Sequence, residues 1–306
     1  MAVDFVTRYP SQWTTPAEAH EPFQSALARE LAKEGPARLL VYTPPIETSA
    51  GRSAASVLAV TRAGWLRLAE TADGGMLATR CDFGHTLLVE LTIILLYGRL
   101  SIEFAAEGKM QSATFEFNAI REQPHRKAVW ALIDGMCGSP PGVTAEHPRD
   151  ESLSGQLPVK FQCVLAASLP PGERLLAVVA WPDTVTRHNR RYVCELAPEA
   201  MLALTGRLLM VISDETTRSI LRIGGVNKFG AVVTYCPLSR LVGYTRQGRG
   251  PVMTLALRIV AEKVATIVPI GLPAGHEAPV IDVVQRALRL KDVAVASVRP
   301  EPPRSS

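Results

Sequence analysis

The feature that most constrains this chain is an internal repeat. Residues 23–31 read FQSALAREL and residues 161–169 read FQCVLAASL, with Phe, Gln, Leu, Ala and Leu at matched spacing 138 residues apart. An Arg-Leu-Leu opening follows each, at Arg38 and at Arg174. Further matches keep the same order. VLAVT at 57–61 answers MLALT at 201–205, and TRCDF at 79–83 answers TYCPL at 234–238, which sets Cys81 opposite Cys236. RLSIEF at 99–104 answers TLALRI at 254–259, and Pro124 answers Pro279. The offsets change only in polar stretches between apolar runs, where insertions are tolerated. A chain with two diverged copies of one unit must build that unit twice.

The period of the apolar residues says what the unit contains. Phe23, Leu27 and Leu31 are four apart, as are Phe161, Leu165 and Leu169, so each set marks one helix face. Gly35-Pro36 and Pro170-Pro171 end these helices. Leu100, Ile102 and Phe104 alternate with Arg99, Ser101 and Glu103, and Leu255, Leu257 and Ile259 alternate with Thr254, Ala256 and Arg258. That period of two marks half-buried strands. In the first copy strands are expected near 38–43, 56–61, 65–70, 76–80, 87–96, 99–105 and 112–118. A helix over 124–136 follows, with proline in its first turn. The expected fold class is therefore mostly β with helices (α+β).

The expected layout is an N-terminal arm (1–22), a first domain (23–137), a linker (138–158), a second domain (159–291) and a disordered tail (292–306). The linker GSPPGVTAEHPRDESLSGQLP is rich in Pro, Gly, Ser and charge. The segment Asp183–Ala200 reads as long and irregular. In the arm, Phe5, Tyr9 and Trp13 are four apart, and pack either on the chain's own first domain or on another subunit.

Several antiparallel strands closed by one C-terminal helix resemble the pleckstrin-homology-like barrel, and the pattern resembles the bacterial PH-like domains. The residues that carry the resemblance are the LAxT motifs, the strand start Pro237-Leu-Ser-Arg-Leu241 and the glycine-bearing turn Gly248-Arg-Gly250. The first copy departs from it with Phe83-Gly-His-Thr where the second has Leu238-Ser-Arg-Leu. The resemblance implies two tandem barrels, each with a C-terminal helix, on a scaffold used for binding phosphoinositides, peptides and proteins.

Chemistry-bearing motifs are scarce. The six histidines (His20, His85, His125, His147, His188, His276) form no HxxxH, HExxH or zinc-spaced Cys/His set, so no metal or cofactor is expected. There is no G-x-S-x-G elbow. Gly224-Gly-Val-Asn-Lys-Phe-Gly230 lacks phosphate-loop spacing and reads as a hairpin connection. The five cysteines are scattered and read as reduced, buried thiols. A net charge of +4, from 33 basic and 29 acidic residues, is too balanced for a specific nucleic-acid binder. No segment reads as a signal peptide or membrane span, which points to a cytoplasmic protein.

One charged feature stands out. Arg187, Arg190 and Arg191, with Arg240, Arg246 and Arg249, concentrate in turns of the second copy and have no counterpart in the first. Arginine at that density suits a carboxylate or phosphate partner; the plainer alternative is a solvated loop. The expected function is non-enzymatic: a binding scaffold for a protein or anionic ligand, able to self-associate. The alternatives are a peripheral membrane protein that binds anionic headgroups through these arginines, and an enzyme with a loop-built site.

Overall fold

The computed structural model describes residues 9–48, 51–138, 155, 157–188, 192–214, 230–248 and 251–297. A short strand from the arm, β1 (Ser11–Trp13), comes first. The first copy then runs α1 (Phe23–Glu34), β2 (Leu39–Thr43), a hairpin of β3 (Glu47–Thr48) and β4 (Gly51–Arg52), β5 (Ser56–Val60), β6 (Gly64–Glu70) and β7 (Met76–Asp82). A 3-10 turn (Phe83–His85) leads into β8 (Thr86–Ile94), β9 (Tyr97–Ala106), β10 (Lys109–Asn118) and α2 (Gln123–Cys137). The second copy repeats that order: α3 (Val159–Ser168), β11 (Leu175–Trp181), a hairpin of β12 (Thr184–His188) and β13 (Tyr192–Ala197), β14 (Ala200–Thr205), β15 (Leu208–Asp214) and β16 (Gly230–Pro237). Its 3-10 turn (Leu238–Arg240) precedes β17 (Leu241–Gln247), β18 (Val252–Ala261), β19 (Val264–Pro273) and α4 (Glu277–Ser297).

The repeat extends to register and hydrogen bonds. Cys81 sits opposite Trp65 in the β6–β7 ladder, and Cys236 opposite Leu209 in the β15–β16 ladder. Thr61 Oγ1 accepts the N–H groups of Ala63 and Gly64, and Thr205 Oγ1 accepts those of Arg207 and Leu208. The same threonine therefore satisfies the same turn in both copies, which is why LAxT survives divergence. A bulge also falls at the matching place, between Thr86 and Leu88 in β8 and between Leu241 and Gly243 in β17.

The apolar patterns account for the layers. Phe23, Ala26, Leu27 and Leu31 of α1 are buried against the outer face of the β2-β5-β6 strands, and α1 ends at Gly35, whose φ of 85° is costly for a side-chain-bearing residue. Leu100, Ile102, Phe104, Phe115 and Phe117 point inward, where α2 covers them with Val129, Leu132 and Ile133. In the second copy α4 does the same with Val280, Val284 and Ala287. Trp65 and Trp181 are core residues whose indole N–H groups donate to Thr86 Oγ1 and to the Gly271 carbonyl.

Several expectations need correction. Instead of closed barrels, the ladders of each copy divide into a four-stranded and a three-stranded antiparallel sheet. The copies are also not separate: β8, at the edge of the first copy's β8-β9-β10 sheet, pairs with β16, at the edge of the second copy's β11-β14-β15-β16 sheet. The result is one seven-stranded sheet in the order β10-β9-β8-β16-β15-β14-β11. The pairing satisfies backbone groups that two open edges would leave exposed. Asp183–Ala200 is not irregular, because most of it forms the β12–β13 hairpin. The C-terminal helix continues to Ser297, past the expected domain limit at 291. Trp13 settles the question of the arm: β1 pairs with β2, and the Trp13 ring stacks on Tyr42 with centroids 5.0 Å apart, on the chain's own first sheet. Cys81, Cys137, Cys163 and Cys236 are free thiols; Cys81 and Cys236 are buried as expected, whereas Cys137 is half-buried and Cys163 is exposed.

Arg207 locks the copies together from the turn between β14 and β15. Its guanidinium donates to Glu173 (2.5 Å), to Asp134 of α2 (3.2 Å) and to the carbonyl of Gly138 just past the end of α2. A cation at a helix C-terminus is favourably placed against the last carbonyls.

Candidate functional site

The molecule has two chemically different ends. One gathers the 3-10 turns, the β9–β10 turn and the β18–β19 turn. The other gathers the far ends of the seven strands and the β12–β13 hairpin.

At the first end a cleft of about 410 Å³ lies where the copies meet. Arg80, Cys81, Asp82 and His85 of the first copy face Glu262 and Lys263 of the second across it. His85 Nε2 is 3.1 Å from Glu262 Oε1, which joins the copies. Arg80 is committed to Glu30 of α1, a residue that is itself buried. Burial pushes the Cys81 thiol up to about 11, so little thiolate exists at neutral pH. The cleft is a polar junction bridged by the His85–Glu262 contact.

A second cleft, of about 340 Å³, lies over the β8–β16 junction beside α3. Its floor is apolar (Leu91, Ile93, Val233) and its cations are engaged. Arg126 donates to Glu122 (2.7 Å) and to the Ala167 carbonyl (3.1 Å), and Lys160 pairs with buried Asp214. His125, next to Arg126 in α2, is part of the core: its ring stacks on Phe117, and burial drives its pKa down to about 3.

The arginines singled out from the sequence divide between the two ends. Arg240 lies at the first end, half-buried, with Nη2 donating to the Phe83 carbonyl (3.0 Å), so it bridges the copies. Burial lowers its pKa. Arg246 is exposed at the other end of β17, with its guanidinium 5.9 Å from the centre of the Tyr244 ring. Six residues along one strand separate these two, about 20 Å, so they do not share a site. Arg187 belongs to β12. Arg190, Arg191 and Arg249 lie outside the described residues, as does the glycine cluster before Gly230.

The hairpin that carries Arg187 is the main difference between the copies. At the same point of the repeat the first copy has only Glu47–Arg52. The second has Thr184–Ala197, whose stem exposes Val185 and Leu196. Its base is pinned: Gly271 of β19 approaches Ala197 so closely that an added Cβ would lie 2.9 Å from the Ala197 methyl. The root of the hairpin is thus packed against β19. Sequence reading located its arginines but missed the strands. The signal was the pair of β-branched and aromatic runs, Thr-Val-Thr and Tyr-Val, on either side of Asn189.

Among the described residues no three His, Cys, Asp or Glu side chains are grouped to hold a metal, and no helix is long and apolar enough to cross a membrane. No known family model matches the chain, and no curated protein matches it.

Proposed function

We propose that this chain is a non-enzymatic binding scaffold of two tandem pleckstrin-homology-like units, in which the second unit holds an anionic partner through its β12–β13 hairpin. The observation that carries the reading is the asymmetry of the hairpins. A duplicated unit needs one copy to keep a site, and only the second copy extends this hairpin, with Arg187 in β12 and Arg190 and Arg191 following it in the sequence. The element order, with a four-stranded sheet and its hairpin, a 3-10 turn, a three-stranded sheet and a closing helix in each copy, supports the unit assignment. The high pKa of Cys81 and the His85–Glu262 contact across the cleft between the copies support binding over catalysis.

Exposed arginine–anion contacts each contribute under about 1 kcal/mol, so binding is a property of the group and weakens with salt. The test is R187E/R190E/R191E against the unaltered chain, on a polyglutamate matrix and on phosphatidylserine vesicles, with circular dichroism as the fold control. Loss of salt-sensitive retention on either surface supports the site. Unchanged retention on both, with the fold intact, means the hairpin is only a solvated surface.

A further inference from the structure

The register of the seven-stranded sheet can be walked along one edge. Asn118 pairs with Tyr97, Tyr97 with Ile94, Ile94 with Gly230, and Ala231 with Asp214. Ser213 pairs with Ala200, and Ala200 with Trp181. The β8–β9 turn and the root of the β12–β13 hairpin therefore leave the same end of one sheet. They are four strand spacings apart, about 19 Å.

The β8–β9 turn breaks the rules of turn chemistry. Its two residues are Leu95 and Leu96, 65% and 63% exposed, and Leu95 has φ 51°, a left-handed conformation that favours Gly, Asn or Asp. The two-residue connections Glu107-Gly108, Gly206-Arg207 and Glu262-Lys263 are polar. The Leu96 carbonyl accepts the Ala119 N–H at 2.7 Å, which sets exposed Ile120 beside the leucines. Tyr97 follows the turn with its hydroxyl on Glu116 (2.7 Å), and Arg121 follows Ile120 with its guanidinium over Tyr9. An apolar tip ringed by tyrosine and arginine results.

We infer that this edge is a bilayer-contact surface, with Leu95, Leu96 and Ile120 entering the headgroup–acyl boundary of an anionic membrane. The inference rests on the proposed anion-binding hairpin for its second point of contact, and names that partner as a lipid surface. Three observations choose a bilayer over a folded protein. The apolar residues sit on a convex turn, which a fluid interface accepts and a folded partner accepts only with a matching hollow. Apolar side chains flanked by tyrosine and arginine are the composition of interfacial anchors. The hairpin with Arg187, and its own exposed Val185 and Leu196, stands on the same edge, where headgroup charge adds to apolar insertion.

The test separates a structural role from a membrane role. L95N/L96G puts a residue suited to the left-handed backbone at position 95 and removes both leucines, so its melting temperature is expected to hold. Its partitioning onto phosphatidylcholine–phosphatidylserine vesicles is expected to fall at least tenfold. R187E/R190E/R191E is expected to remove the salt-sensitive part of binding and leave the rest. Failure of the unaltered chain to bind vesicles, or binding by L95N/L96G equal to it, overturns the inference. Binding lost in the tip variant but untouched by the arginine reversal upholds the leucine contact and refutes the arginine site. The opposite pattern refutes the leucines and leaves the arginines.

Discussion

Acid sensitivity is written into His125. The ring is fully buried near the start of α2, stacked on Phe117 at 3.7 Å, with Nε2 2.9 Å from the buried Thr43 hydroxyl and Nδ1 without a partner. Desolvation holds its pKa near 3, well below the 6.5 of a solvated histidine. The folded chain therefore binds this proton less readily than the unfolded chain. Stability from this group is complete above pH 6.5 and is lost as pH falls from 6.5 toward 3, at about 1.4 kcal/mol per pH unit. By pH 5 the loss is about 2 kcal/mol, a large part of the margin of a typical domain. H125F keeps an aromatic ring on Phe117 and cannot titrate. Its cost at pH 7 is the stranded Thr43 hydroxyl, about 1–3 kcal/mol. Urea unfolding of both proteins from pH 7 to pH 4 gives the comparison, with every other titrating group common to the two. The advantage of the unaltered chain over H125F is expected to fall by about 3 kcal/mol over that range, which cancels it or reverses its sign. A difference that stays constant with pH would show that the ring charges without cost in the folded chain, and the argument from burial would fail.

Removing Arg207 strands the buried carboxylate of Glu173 and releases the end of α2. R207M is expected to lower unfolding stability by about 3 kcal/mol, and by less in E173Q/R207M, where no buried charge is left unpaired; equal losses would refute the charge argument. Gly135 of α2 lies under the Phe83 ring, which an added Cβ would meet at 2.1 Å. G135A is expected to destabilise by about 1–3 kcal/mol despite alanine's better helix propensity, and a rise in melting temperature would show that the ring moves aside freely.

Much of the architecture was legible in the residues. The period-two run placed Leu100, Ile102 and Phe104 in the core of the first copy, where they are buried. The LAxT and TxC matches predicted Thr61 opposite Thr205 and Cys81 opposite Cys236, and the ladders agree. Side-chain period and turn chemistry are local, so sequence carries them directly. The turn at Leu95-Leu96 was less legible: two leucines continue an apolar run, and the sequence reading extended the strand to residue 96 where β8 ends at Ile94.

What the sequence alone determined is the repeated unit, its order of elements and the inward face of each strand. Tertiary structure alone decided how the copies join. Nothing local in Val89–Ile94 or in Gly230–Tyr235 specifies the other as its partner; they pair because each is an edge strand whose exposed backbone groups need one. That pairing put Arg240 at the junction, where it reaches the Phe83 carbonyl of the other copy. It also brought the β8–β9 turn and the β12–β13 hairpin, about ninety residues apart in the chain, onto one edge, because strands neighbour each other through hydrogen bonds across a sheet rather than through sequence.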